Sequence, residues 1–177
     1  MLTVVNHERK RAAGERAAFR NIVYDPKMFK IFLALHLLAA IFAVGPLVHS
    51  ATTASRGLRQ ADAAATALAA RTIRIYSYAS TAVVILGFGL MSANTPYGNK
   101  EKAGEFSDLW IWLSVVLWIA AVALALGVIV PSLEKATASI GRGESVSSRT
   151  GRVAAGGGIV GLVFAVIVFL MVYRPGS

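Results

Sequence analysis

Four long apolar stretches alternate with polar segments along the chain, and none of them contains Asp, Glu, Lys or Arg. They cover residues 31–48, 75–93, 109–130 and 153–173. A bilayer core about 30 Å thick needs about 20 apolar residues in a helix, and within one segment only a helix satisfies its own backbone hydrogen bonds without water. The pattern predicts an all-α polytopic membrane protein in which four transmembrane helices form a bundle over residues 28–174.

Composition agrees with burial in lipid and narrows the chemistry. Hydrophobic residues make up 56% of the chain and charged residues 15%, against about 25% charged residues in an average soluble domain. Because there is no cysteine, disulfides and thiolate sites are excluded. The net charge of +9 comes from Lys and Arg in the N-terminal tail and beside the apolar stretches. Cations in these places anchor spans and meet anionic headgroups, so we expect the lipid bilayer, and no nucleic acid, as a partner.

The N-terminal tail, residues 1–27, is basic and is predicted to be either a surface helix or disordered. Together with the first apolar stretch and the small residues around Ala51 it resembles a signal peptide, but the stretch exceeds the usual length of about 7–15 residues. We therefore expect an uncleaved first span in a multi-pass protein of the plasma membrane. Loop cations slightly favour the first and third linkers inside the cell, whereas the tail favours the reverse.

The segment before the second span is rich in Ala, the strongest helix former. We expect the second helix to start near Ser55 and to project well outside the bilayer. Residues at alternating spacings of three and four line one face of this helix: Leu58, Ala61, Ala65, Leu68, Thr72 and Ile75. This face is either a solvated extension or a docking surface for a partner helix, and the docking candidates are Leu58, Ala61, Ala65 and Leu68.

The apolar stretches contain no Asp, Glu, Lys or Arg, and His36 is their one histidine. It lies about 8 Å into the first span at 1.5 Å per residue, and ionisable residues in a membrane are functional candidates. A neutral imidazole can bind haem or copper. Alternatively, His36 makes an interhelical hydrogen bond to a hydroxyl of the second span, at Ser77, Ser80 or Thr81.

Small residues recur at helical spacing in three of the spans. In lipid, such residues let two helix backbones approach closely. The predicted packing residues are Ala39, Ala40, Ala43, Ala121, Ala125, Gly157, Gly161 and Ala165. They serve either the protein's own bundle or contact with another subunit.

Catalytic groups are sparse in this chain. All nine acids lie outside the apolar stretches, and no Walker loop, triad spacing or HExxH motif is present. We therefore predict a non-catalytic accessory or structural subunit of a larger membrane complex, such as a lipid or solute importer, without a cofactor. The alternative is a haem-binding membrane oxidoreductase, or a haem- or copper-handling protein, that uses His36.

The first span, with Leu35-His36-Leu37-Leu38 and a glycine nine residues after the histidine, at Gly45, resembles a membrane superfamily. This superfamily includes copper-resistance protein D and HemJ-type protoporphyrinogen oxidase. The third span, which ends in Val130-Pro131, is similar to that of small four-helix members. The resemblance implies a haem contact for His36, but Ala43 and Pro46 depart from the pattern and the remaining ligands have no match. The Ala-, Gly- and Arg-rich composition resembles that of actinobacterial proteins, including accessory proteins of mammalian-cell-entry lipid importers.

Overall fold

The computed structural model describes residues 14, 26–92, 104 and 107–175. Within them the chain forms four long helices, named α1 to α4 in chain order. Helix α1 comprises Pro26–Ala39, Ala40–Val44 and Gly45–Arg59, α2 is Ala63–Ser92, α3 comprises Leu109–Leu124, Ala125–Ile129 and Val130–Gly141, and α4 is Ser147–Tyr173. The predicted tail, apart from Gly14 and its last residues, and most of the segment before α3 lie outside the described residues.

Each of the four helices is long and apolar enough to cross a membrane, which confirms the all-α, four-span fold. Their outward faces carry large apolar side chains, including Phe42 at 69% exposure and Leu162 at 67%. Contiguous apolar surface of this kind is costly in water and is expected where lipid is the solvent. The protein is therefore a multi-pass membrane protein.

All four helices continue beyond the apolar stretches at one end of the bundle. We call this part, residues 49–74 and 131–152, the head. The turn between α1 and α2 and the turn between α3 and α4 both lie at its tip. Helix α2 begins about 18 Å before Ile75 at 1.5 Å per residue, so its N-terminal part continues well beyond the apolar stretch.

The start of α2 differs from the prediction, because this helix begins at Ala63 and not near Ser55. Ser55 belongs to the last turns of α1, and the chain then reverses through a turn in which Ala61 has a φ of 49°. The Asp62 carboxylate accepts a hydrogen bond of 2.9 Å from the Ala65 N–H, which satisfies one of the free donors at the start of a helix. Alanine favours helix on both sides of this turn, so composition alone did not locate the break.

Helices α1 and α3 share an unusual feature, a π-helical turn that ends two residues before a proline. The turns are Ala40–Val44 before Pro46 and Ala125–Ile129 before Pro131. Proline has no N–H to donate, and its ring clashes with the carbonyl four residues earlier; a widened turn relieves that clash. In each helix the proline follows the π-helical turn at the same distance. The hairpins α1–α2 and α3–α4 therefore share this local feature.

The core lies around the junction between the membrane-spanning part and the head. Helix α4 packs there against the last segment of α1, and α2 packs against the last segment of α3. The first segment of α1, by contrast, packs mainly on α2. The largest fully buried apolar side chains are Leu47, Ile73, Ile129, Val130, Leu133, Val153 and Val160. The hairpins are therefore joined most tightly at the head end of the bundle.

Candidate functional site

His36 lies in the interface between α1 and α2, where its ring is half-buried. Its Nδ1 is 2.9 Å from the carbonyl oxygen of Val83. Because a carbonyl can only accept, Nδ1 carries the hydrogen, and in the neutral imidazole Nε2 then keeps its lone pair. A Cβ at Gly87 would lie 3.3 Å from the ring, so this glycine lets the imidazole lie against the backbone of α2.

The acceptor of the His36 hydrogen bond is therefore a backbone carbonyl and not one of the three hydroxyls considered from the sequence. Ser80 Oγ donates to the Ser77 carbonyl at 2.7 Å and accepts from Trp118 Nε1 at 3.0 Å. The Ser77 hydroxyl is buried and has no hydrogen-bond partner within the described part of the chain, and Thr81 is exposed. Ser80 thus faces α3, whereas His36 approaches α2 from the α1 side.

As a ligand for haem or copper, His36 would act through Nε2. A hydrogen bond from Nδ1 to a backbone carbonyl is the usual way in which a metal-binding histidine is oriented. In the described part of the chain no group of three or more His, Cys, Asp or Glu residues could hold a metal ion. The geometry thus supplies one oriented nitrogen, which suits an axial ligand better than a closed metal site.

The predicted packing residues divide into three groups. Ala43, Ala121, Ala125 and Gly157 are buried, Ala39, Ala40 and Gly161 are half-buried, and Ala165 is exposed. At Gly157 the backbones of α1 and α4 nearly touch, because an added Cβ would overlap the Ala51 carbonyl. Each four-residue step in a helix advances about 40° around its axis, so the row has turned out of the interface by Ala165.

The four docking candidates do not form one helical face. Leu58 is buried in the core at 3% exposure, and Ala61 lies in the turn. Ala65 and Leu68 lie on α2 and do line a common surface, an open groove between α1 and α2. The periodic pattern failed at the turn because residues on either side of it belong to antiparallel helices.

This groove has a volume of about 340 Å³ and lies in the head. Its α1 wall contains His49, Ser50, Thr53, Ala54, Arg56, Gly57 and Gln60, and its α2 wall contains Ala65, Leu68, Ala69 and Thr72. Leu68 is 65% exposed, although it lies about 10 Å from the start of the apolar stretch at 1.5 Å per residue. Arg56 has no carboxylate partner among the described residues. The groove therefore combines a mainly apolar α2 wall with an arginine of the α1 wall that has no carboxylate partner among the described residues.

No family model matches the chain, and no curated protein or solved structure matches it either. The resemblance to the copper-resistance protein D and HemJ-type superfamily therefore stays a prediction.

Proposed function

We propose that this protein is a non-catalytic accessory subunit of a larger complex in the plasma membrane, such as a lipid or solute importer. The observation that supports this proposal is the head, which continues the four helices beyond the apolar stretches and holds the open groove between α1 and α2. Four spans do not require such an extension, since about 20 residues per helix suffice to cross the lipid. A surface for a partner explains both the extension and its groove.

The groove suits an amphipathic helix of a partner. Helix-in-groove recognition uses apolar side chains at intervals of three or four residues, and Leu68 offers an apolar contact opposite the more polar α1 wall. Burying one leucine side chain contributes about 1.5–3 kcal/mol. Arg56 lies in the opposite wall, where it would favour a carboxylate on the partner. The competing interpretation, a solvated extension, leaves Leu68 in water with no compensating contact.

Site-specific photocrosslinking in the native membrane tests this proposal. A photoreactive amino acid replaces Leu68 in one variant and the exposed Ala67 in a matched control on the same helix. We expect a crosslink to one partner chain at fixed stoichiometry from Leu68 only, and its loss in an Arg56→Glu background. Equal crosslinking from both positions, or purification of only the free monomer in mild detergent, would contradict the proposal.

A second candidate function is haem binding through His36, favoured by the oriented Nε2. The protein purified from haem-replete cells would show a Soret band. His36→Ala would abolish this band, whereas His49→Ala, which removes a histidine of the head groove, would retain it. A colourless preparation would exclude a stable haem site. Copper handling predicts instead a change in cellular copper when the protein is deleted.

A further inference from the structure

Helices α2 and α4 approach the bilayer through the same pattern, two arginines three residues apart. In α2 these are Arg71 and Arg74, followed by Ile75, and in α4 they are Arg149 and Arg152, followed by Val153. At 1.5 Å per residue, each pair lies about 1.5 and 6 Å above the first residue of its apolar stretch. The headgroup region on each side of a bilayer is about 5–7 Å thick, so both pairs lie within it.

Two of these arginines have no carboxylate partner among the residues that the structure describes. Arg74 pairs with Glu134 on α3, and Arg149 donates a hydrogen bond of 3.1 Å to Ser139 Oγ. Arg71 and Arg152 are exposed and make no ion pair with any described residue. Arg74 and Arg149 are therefore engaged in contacts within the head, whereas the guanidinium groups of Arg71 and Arg152 have no ion-pair partner among the described residues and face outward.

We infer that Arg71 and Arg152 bind the phosphate groups of anionic phospholipids in the leaflet on the head side. The guanidinium group matches a phosphate with two parallel hydrogen bonds, and each cation near an anionic surface contributes about a fivefold preference. The exposed apolar faces of the same helices, including Ile75 and Ile159, would lie beside the acyl chains. Headgroup and tail contacts thus occur on the same two helices. This inference does not depend on the proposed partner.

The experiment uses the full chain in phosphatidylcholine vesicles with spin-labelled phosphatidylglycerol or spin-labelled phosphatidylcholine. The measured quantity is the association constant of the anionic label relative to the neutral one. We expect a ratio of up to about five for the wild-type protein, and a fall toward one in 1 M salt, where the Debye length is about 3 Å.

Two double variants decide whether the position of the charge matters. Arg71→Gln with Arg152→Gln should bring the ratio toward one, whereas Arg59→Gln with Arg142→Gln removes the same charge from the tip of the head and should leave it unchanged. Arg71→Lys with Arg152→Lys should retain most of the preference and controls for folding. A wild-type ratio of one, which would leave an acidic protein partner as the ligand, or an equal loss in both Gln doubles would overturn the inference.

Discussion

Gly157→Ala is the sharpest test of how the two hairpins are joined. In the native packing, a Cβ at this position would overlap the Ala51 carbonyl oxygen, lie 2.7 Å from its carbonyl carbon and lie 3.2 Å from the Thr52 Cα. All three atoms belong to the backbone of α1. No rotation of a side chain can therefore relieve the overlap, and the helices have to move apart.

The size of the effect follows from that displacement. Carbon atoms in ordinary contact are about 3.5–4.0 Å apart, so α1 and α4 must separate by about 1 Å, and a gap of that size forfeits a quarter to a half of the attraction at each contact. Overpacking costs about 1–3 kcal/mol, and here the obstacle is backbone. Alanine regains about 1 kcal/mol of helix propensity. We expect a net loss of about 2 kcal/mol in the free energy of unfolding.

Gly158→Ala is the matched control, because this adjacent glycine is exposed and an added Cβ meets nothing within 4 Å. It should be neutral or slightly stabilising, since only the helix propensity changes. Unfolding would be measured by titrating dodecyl sulfate into mixed micelles and following tryptophan fluorescence. If the two variants differed by less than about 0.5 kcal/mol, the close approach of α1 and α4 at Gly157 would be refuted.

Three further predictions concern the turn, the α2–α3 contact and the head. Asp62→Ala removes the cap of α2 and should lower the unfolding free energy by about 1 kcal/mol, with less effect for Asp62→Asn; an unchanged transition would show that the cap is dispensable. Trp118→Phe and Ser80→Ala each remove the same hydrogen bond between α2 and α3. A double-mutant cycle should therefore give a coupling energy of about 0.6 kcal/mol, and strictly additive effects would contradict this hydrogen bond. The hydrogen bonds from Arg142 lower the pKa of Glu144. The ion pair should therefore be fully formed above the usual carboxylate pKa, and it should be lost only as the pH falls through the lowered pKa. Carboxyl NMR titration should report this pKa rising in Arg142→Gln, and no rise would refute the pairing.

The sequence predicted the membrane-spanning part well, because charge-free stretches of sufficient length have few alternatives in lipid. It also indicated His36 as the polar residue of the first span, but not its partner. Hydroxyl side chains were the visible candidates, whereas the observed acceptor is the Val83 carbonyl. Backbone carbonyls are present at every residue, so no sequence pattern distinguishes the one that a neighbouring helix reaches.

The head shows where the argument from periodicity failed. Apolar and small residues continue at spacings of three and four from Leu58 to Ile75, across the turn between α1 and α2. Such a spacing is the same whether or not the chain reverses its direction, so it could not reveal the turn. Asp62, a good N-cap residue, was the local signal for a helix start near Ala63. The groove was not predictable, since its two walls come from antiparallel segments of α1 and α2.

By itself the sequence determined that lipid surrounds the helices of this protein and that there are four membrane spans. Apolar length and the need to satisfy backbone hydrogen bonds are properties of each segment alone, independent of its neighbours. Only the tertiary structure decided that Gly157 meets Ala51, that His36 meets Val83 and that Leu68 lies in an open groove. These contacts depend on the rotation and approach of one helix relative to another, and small residues permit several such arrangements with nearly the same local pattern.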